Sequence, residues 1–300
     1  DNWEGLEEWL YKEGFPYKHV IIDEGQDFAL LPSKEEGDRN VEIIDELREA
    51  ALQSGGTFYL FYDRNQAIQG ERNRTYDLPS YITDSDCRLT LYQNCRNTSA
   101  ISQTSLTPLQ LPQKRWNGSK VIDPWSVRVE KPVFHLLDDE SLIVETVNKV
   151  LDDLQAKDVT DIVLLTVGTM AYTALRDGLE SLDEGADKYW YYCYKRKRYR
   201  MTTAQRFKGL EATAIIMVDL KPDSFAGKNG MVFYVGASRA KLFLDFVAVI
   251  PEGEYKNVIQ SVKETEPVNK SAKRLRNVIQ DLFHAKVEDT RLSSVSEMNP

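Results

Sequence analysis

Short apolar runs alternate along this chain with longer segments whose apolar residues recur at helical spacing. In the first third, the pattern predicts a strand at 18–23, a helix at 41–52 and a second strand at 55–63. Further along, it predicts strands at 88–93, 132–137, 161–166, 188–203 and 211–220, and helices at 97–106, 140–154 and 169–182. Such alternation is typical of α/β proteins, in which helices cover parallel sheets.

Hydrophobic spacing also distinguishes helices that would pack against a sheet from segments that are polar along their length. The helix predicted at 140–154 has one apolar stripe, formed by Ile143, Val147, Val150, Leu151 and Leu154. Segment 105–131, rich in Pro, Gln, Lys and Trp, is predicted to be a surface connection, and 251–300 is polar and charged. We expect the last 15 residues to form a disordered tail.

Composition narrows the classes of protein that fit this pattern. With 300 residues, 42% of them hydrophobic, the chain is long enough for two globular domains. Its net charge of −9 argues against a surface that binds nucleic acid everywhere, but leaves room for a local basic groove. Cys87, Cys95 and Cys193 lack paired spacing, which disfavours a disulfide framework or zinc site and fits a reducing cytoplasm. Apolar runs such as 242–250 are shorter than the roughly 18 residues of a membrane span, and no signal peptide is recognisable.

The stretch VIIDEGQD at 20–27 carries the first candidate chemistry. The carboxyl ends of parallel strands line the ligand crevice of α/β sheets, and Asp23 and Glu24 directly follow an apolar strand. Asp23 is suited to hold Mg²⁺ through water, and Glu24 to orient or deprotonate an attacking water. An acidic turn without catalytic function is the alternative for this stretch taken alone.

Four further stretches place amides, acids and cations at strand ends or helix starts: LFYDRNQAIQG (60–70), LYQNCRN (91–97), TTAQRFKGLE (202–211) and VGASRAK (235–241). Singly, each has a structural explanation, such as a polar loop, a paired arginine or a solvated helix end. Together with 20–27, and in this order, they resemble the Walker B element and motifs III to VI of the UvrD/Rep-like superfamily 1 DNA helicases. The resemblance covers residues 20–241, about three quarters of the chain.

This resemblance implies a fold of two RecA-like lobes, each a parallel sheet flanked by helices, with ATP bound between them. Residues 1–88 would form the latter part of the first lobe, and 89–250 the second lobe. Residues 251–300 would form a C-terminal helical extension with a flexible tail. The implied activity is ATP hydrolysis coupled to movement on single-stranded or partly duplex DNA, with ATP and Mg²⁺ as cofactors.

The same resemblance implies roles for five residues at the site of hydrolysis. Asp23 would bind the metal and Glu24 would act on the attacking water. Gln66 would sense the γ-phosphate, and Arg96 would bind phosphate oxygens. Arg239 would lie on a helix and point into the nucleotide cleft as an arginine finger.

Motif V supplies the remaining candidate residues. Gly209 allows a tight turn near the nucleotide, and Glu211 would reach the ribose or its neighbourhood. Thr203, Gln205 and Lys208 would contact nucleic acid. Gln205 stands where most relatives have histidine, but its amide can still donate to a phosphate.

Several departures from the family pattern limit what the chain can do. No GxxxxGK[ST] loop occurs, so the β- and γ-phosphates have no cradle in these residues. Gln69 and Glu71 stand where relatives have base-stacking aromatic residues, and Cys95 replaces another aromatic residue. The gap between Arg96 and Thr203 leaves no room for the large accessory insertion of UvrD and Rep.

We therefore expect a C-terminal portion of a longer, compact helicase, which an upstream nuclease or other module could precede. The 300 residues alone are expected to hydrolyse ATP poorly or not at all. A different class of function fits the missing P-loop, namely a noncatalytic module of this fold that binds nucleic acid or protein.

The basic run KRKRYR at 195–200 allows two interpretations. Aromatic residues precede and interrupt it, as in a track that binds single-stranded nucleic acid. The same alternation is typical of an amphipathic strand with one charged, solvated face.

Overall fold

The computed structural model describes residues 17–27, 39–63, 66, 89, 93–110, 120–121, 130–184, 187–263 and 271–289. These residues belong to two compact units, one within 1–91 and the other within 92–300. The division lies three residues beyond the boundary expected after residue 88. The part of 251–300 that is described belongs to the second unit.

The described part of the first unit is a strand, a helix and a strand: β1 (His19–Ile22), α1 (Arg39–Gln53) and β2 (Thr57–Leu60). This confirms the elements predicted for the first third of the chain. The strands pair in parallel, with His19 opposite Thr57 and Ile22 opposite Leu60. Ile44 of α1 is buried against the inward-facing side chains of both strands. The carboxyl ends of β1 and β2 therefore lie side by side.

The second unit contains most of the described strands: β3 (Gln93–Asn94), β4 (Lys120–Val121), β5 (Val133–Leu137), β6 (Ile162–Thr166), β7 (Leu179–Glu184), β8 (Asp187–Tyr194), β9 (Lys197–Thr203), β10 (Ala212–Leu220), β11 (Ala240–Val249) and β12 (Lys286–Asp289). An eight-stranded sheet has the order β12-β5-β11-β10-β6-β9-β8-β7, and β3 pairs separately with β4. All neighbours from β12 to β9 are parallel, whereas β8 is antiparallel to both β9 and β7.

Helices flank this sheet and bury both of its faces. They are α2 (Ser99–Leu106), α3 (Ile143–Ala156), α4 (Gly227–Ala237), α5 (Tyr255–Val262) and α6 (Ala272–Phe283). The stripe predicted on α3 is confirmed, because all five of its residues are buried in one cluster with the β6 and β10 side chains. The other cluster contains stacked aromatic rings, including Phe134 and Phe246 with centroids 4.3 Å apart. The fold is thus mixed α/β with a mostly parallel sheet, as the alternation predicted.

The helix predicted at 169–182 is wrong. This segment consists of turns up to Gly178 and then enters β7, which pairs with β8 from Leu179 opposite Tyr192. A Cβ at Gly178 would lie 2.6 Å from the Tyr192 ring, so the strands meet where glycine is required. Cross-strand pairing therefore overrides the local helical spacing.

The strand region predicted at 188–203 is confirmed as extended, but it forms a hairpin of β8 and β9. Lys195 and Arg196 occupy the turn with φ of 46° and 63°. Two consecutive positive φ angles match the twist of a tight hairpin. The basic run thus begins at a turn and continues along β9.

The tail expected over the last 15 residues is wrong at its start. Residues 286–289 form β12, which pairs in parallel with β5 through Lys286 opposite Val133. The preceding helix α6 buries Leu275, Ile279 and Phe283 in the core, which brings β12 to the sheet edge. Residues 290–300 lie outside the described part of the chain.

Candidate functional site

The turn after β1 carries Asp23 and Glu24 and lies against the end of β2. Gly25 donates its N–H to the Phe61 carbonyl oxygen at 2.8 Å. A Cβ at Gly25 would come within 2.5 Å of the Leu60 side chain, so any larger residue there would have to displace Leu60. Glu24 has a φ of 53°, which is uncommon for a residue with a side chain. The two predicted acids therefore belong to a tightly constrained turn at the carboxyl edge of the β1–β2 pair.

Gln26 links this turn to the segment after β2. Its side chain is only 1% exposed, and its Oε1 accepts the Asp63 N–H at 2.9 Å. Its Nε2 donates to Oε2 of Glu24. Gln66 in turn donates from Nε2 to Oδ2 of Asp63 at 3.0 Å. One hydrogen-bonded chain thus connects the predicted residues Glu24 and Gln66 through two residues that were not among the predicted site residues.

Asp23 is the metal ligand that the resemblance implies. It is exposed at the end of β1, and its Oδ1 accepts the Glu24 N–H at 2.9 Å. A single carboxylate suits Mg²⁺, which keeps several waters and commonly takes one or two carboxylates together with substrate phosphates. Across the described ranges, no three His, Cys, Asp or Glu side chains are grouped so as to hold a metal ion.

In the second unit, Arg96 and Glu211 form one charged cluster. Arg96 Nε lies 3.1 Å from Oε2 of Glu211, and Lys241 Nζ lies 2.6 Å from Oε1. The Lys241 hydrogen bond, together with that of Arg96, lowers the pKa of Glu211. All three side chains are about 40% exposed, so an anion from solvent can reach both cations.

Two asparagines position Arg96. Asn94 accepts the N–H groups of Arg96 and Asn97 through Oδ1, at 3.0 and 3.2 Å. Asn97 is buried and donates from Nδ2 to the carbonyl oxygens of Ser238 at 2.9 Å and Ala240. These bonds hold the segment before α2 against the start of β11. They depend on residues more than 140 positions apart, so the local sequence contained no signal for them.

Arg239 is placed differently from the expectation. Helix α4 ends at Ala237, so Arg239 lies in the turn before β11 and not on a helix, which corrects that prediction. Its side chain is 1% exposed, and Nε donates to the Val235 carbonyl oxygen at 3.0 Å. Nη2 also lies 3.3 Å from Oγ of Ser238. The guanidinium is therefore packed inside the second unit in this structure, and its role as an arginine finger stays a prediction.

The candidate residues from motif V lie at opposite edges of the sheet and in the segment between these edges. Thr203 ends β9 opposite Thr166, the last residue of β6, and accepts the Arg206 N–H at 3.2 Å. The chain then crosses back through a turn with Gly209 at a φ of 84° and reaches Glu211, just before β10. Since these strands are parallel, Thr203 marks the carboxyl edge of the sheet and Glu211 the amino edge. Gln205 and Lys208 lie in the crossing segment between them.

The amino edge thus gathers the predicted groups Arg96, Glu211 and Arg239. Glu211 and Arg239 immediately precede β10 and β11, which are neighbouring parallel strands. Lys241, which was not among the predicted site residues, completes the charged cluster with Arg96 and Glu211. The signal for it was its place beside Arg239 in the SRAK sequence.

The basic run is largely paired within the second unit. Lys195 lies 2.7 Å from Asp152, an ion pair that raises the pKa of Lys195 and lowers that of Asp152. Arg198 lies 3.2 Å from Glu180. Tyr199, between these cations and the core, is buried. This arrangement favours the amphipathic strand over a continuous nucleic-acid track.

The remaining sequence predictions concern the stacking positions, the cysteines and the absence of a membrane span. Gln69, Glu71 and Cys87 lie outside the described residues. Cys95 and Cys193 are free thiols. Within the described residues, every helix is too short or too polar to cross a membrane.

Comparison with known proteins identifies no family for this chain, so a functional assignment depends on its own residues. The chain matches no protein-family model, and a search of curated proteins finds no relative.

The Glu211 cluster predicts a measurable pH dependence of stability. Because the folded-state pKa of Glu211 is lowered from 4.5, its contribution is present above that value and is lost as pH falls through the lowered pKa. Exposed pairs contribute about 0–1 kcal/mol, so Glu211→Gln should unfold at slightly lower urea than wild type at pH 7. The two proteins should converge at acid pH. Glu145→Gln, at an exposed acid on α3, is the control, and a constant difference across pH would contradict the prediction.

Proposed function

We propose that this chain is part of the motor of an ATP-dependent DNA helicase or translocase. Its units would be RecA-like lobes that couple ATP hydrolysis to movement on single-stranded or partly duplex DNA. The observation that carries the proposal is the hydrogen-bonded chain from Glu24 through Gln26 and Asp63 to Gln66. It unites two predicted motifs, from different parts of the sequence, at the carboxyl ends of adjacent parallel strands. That edge is where α/β proteins bind their ligands.

In this proposal, Glu24 orients and deprotonates the water that attacks the γ-phosphate. Gln26 fixes the Glu24 carboxylate, since its buried amide holds Glu24 and the backbone of Asp63 at once. Gln66 senses the γ-phosphate, and its bond to Asp63 couples that contact to the same turn. Asp23 would hold Mg²⁺, which neutralises phosphate charge when bound.

In the second unit, Arg96 and Lys241 would supply cations to a bound phosphate. Arg96 and Lys241 share Glu211 as their counter-ion, so a bound phosphate would compete with that carboxylate for both cations. Glu211 would then be released towards the ribose. The sequence contains no P-loop, so these residues would contribute to an ATP site without cradling the β- and γ-phosphates.

A noncatalytic module that binds nucleic acid or protein is the second candidate. The observation in its favour is the burial of Arg239, which is only 1% exposed. An arginine finger has to reach the phosphate, and a purely structural arginine does not.

ATP hydrolysis by the native protein tests the proposal. We expect hydrolysis that single-stranded DNA stimulates, measured as phosphate release with and without an oligodeoxynucleotide. An RNA of the same length and sequence is the matched control for preference between the nucleic acids. Binding of DNA without hydrolysis would favour a noncatalytic module that binds nucleic acid. The absence of both activities would contradict the helicase proposal and leave a module that binds protein.

A further inference from the structure

The most exposed aromatic side chain among the described residues is Tyr172. It is 88% exposed, compared with 61% for Tyr17 and 54% for Tyr59. Tyr172 lies in the segment 167–178, which connects β6 to β7 at the carboxyl edge of the large sheet. Single exposed apolar side chains are common on protein surfaces, so any function of Tyr172 has to be argued from its surroundings.

The backbone on both sides of Tyr172 is held in place. Before it, Thr166 Oγ1 donates to Asp219 Oδ2 at 2.6 Å and accepts the Gly168 N–H at 3.1 Å. After it, the Ala174 N–H donates to Asp219 Oδ1 at 3.1 Å. One carboxylate thus holds the chain on both sides of Tyr172, at Thr166 and at Ala174. The ring is exposed on a fixed loop, as a recognition residue requires.

Asp219 adopts an unfavourable backbone conformation to make these bonds. Its φ is 62° although it lies within β10, where strand residues have negative φ. Strain of this kind persists where the surrounding structure enforces it, often beside a binding site. The Asp219 side chain provides that constraint through Thr166 and Ala174.

A second loop begins directly beside the first. The Ala204 N–H donates to the Thr166 carbonyl oxygen at 3.0 Å, so the loops after β6 and β9 start from neighbouring strand ends. The second loop begins at the carboxyl edge with Gln205 and Arg206, and it carries Lys208 as it crosses towards the amino edge. Cations and an amide thus lie on the loop beside that of the exposed ring.

The carboxyl edge of the large sheet is acidic after β5 and carries more cations after β6 and β9. Arg176, on the Tyr172 loop, is largely exposed and lies 3.7 Å from Asp177. Asp138 and Asp139 follow β5, which lies three strands away from β6 in the sheet order. The acidic end of the edge is thus separate from the β6–β9 end, where a polyanion would meet more cations.

We infer that the β6–β9 end of this edge binds single-stranded nucleic acid, with a base stacked on Tyr172 and phosphates on the Thr203 loop. The inference rests on the proposed function and adds a base contact to it. Aromatic rings beside cations are the usual means of gripping single strands without reading sequence. A protein partner is disfavoured, because Leu210 is the only other exposed large apolar side chain of the two loops, which are described in full.

Fluorescence anisotropy of a labelled oligothymidylate tests the inference with the full 300-residue chain. Loss of one stacked base should weaken binding by about 5- to 150-fold in Tyr172→Ala. Tyr172→Phe should bind like wild type, because its ring can still stack. Tyr17→Ala, at another exposed tyrosine, is the matched control and should also bind like wild type. An abasic strand of equal length should bind wild type and Tyr172→Ala equally.

The outcomes separate this inference from the proposed function. If wild type binds the oligothymidylate and Tyr172→Ala binds it equally well, the inference is wrong and the proposed function stands. An equal loss of binding to the abasic strand would also overturn stacking, since it would show an effect on the backbone contacts. Failure of wild type to bind any single strand would contradict both.

Discussion

Arg239→Ala is expected to lower the unfolding temperature of the second unit by about 5–15 °C. The side chain is fully buried, so its removal leaves a cavity and takes away one of two donors to the Val235 carbonyl oxygen, the other being Ser238 Oγ. Changes of this type cost about 2–5 kcal/mol. Thermal unfolding followed by circular dichroism measures the effect. An unchanged unfolding temperature would show that the buried arrangement contributes little to stability.

The same residue offers the sharpest test of the arginine finger. Arg239→Met keeps an unbranched side chain to fill the space but removes the guanidinium, so the fold should lose less stability than with alanine. If Arg239 reaches the phosphate during turnover, Arg239→Met should reduce ATP hydrolysis by the native protein about 10³–10⁵-fold. A folded Arg239→Met protein with near wild-type turnover would make this arginine purely structural.

Glu24→Gln is expected to reduce DNA-stimulated ATP hydrolysis by the native protein about 10²–10⁴-fold, the range for removal of a general base. The substitution retains the size of the side chain and an oxygen that can accept the Gln26 amide. Unfolding temperature should therefore change little. Phosphate release at saturating ATP and DNA measures the loss.

Glu49→Gln is the matched control for this experiment, because Glu49 is an exposed acid on α1 of the same unit. It should leave both turnover and stability at wild-type values. If Glu24→Gln also hydrolyses ATP at the wild-type rate, the carboxylate does not act on the attacking water. The hydrogen-bonded turn would then have only a structural role.

Much of the fold could be predicted because its buried strands and its helices have different hydrophobic patterns. A buried strand is apolar at every position, whereas a helix is apolar along one face. The strand at 161–166 is buried at every position of β6, and the stripe at 140–154 is one face of α3. The segment 169–182 could not be predicted, because its apolar residues have helical spacing. Its conformation is instead set by pairing with β8 and by the close approach of Gly178 to Tyr192. Long-range contacts of this kind leave no periodic trace in the sequence.

The candidate site divides in the same way. Asp23 and Glu24 could be predicted, because acids after an apolar strand are recognisable locally. Gln26 and Asn97 could not, because their importance lies in the backbone groups of distant residues that they bind. The burial of Arg239 was equally invisible, since its surroundings are assembled from α4 and the turn that follows.

Pairing of β12 with β5 has a consequence for synthesis of the protein. Val133 leaves the ribosome roughly half a chain length before its partner Lys286. Until then, the edge of β5 that faces β12 stays unpaired, and open strand edges recruit other chains. A ribosome that stalls before residue 286 would leave a nascent second unit with that edge open. Synthesis of one short strand therefore closes an edge of β5 that would otherwise stay open to other chains.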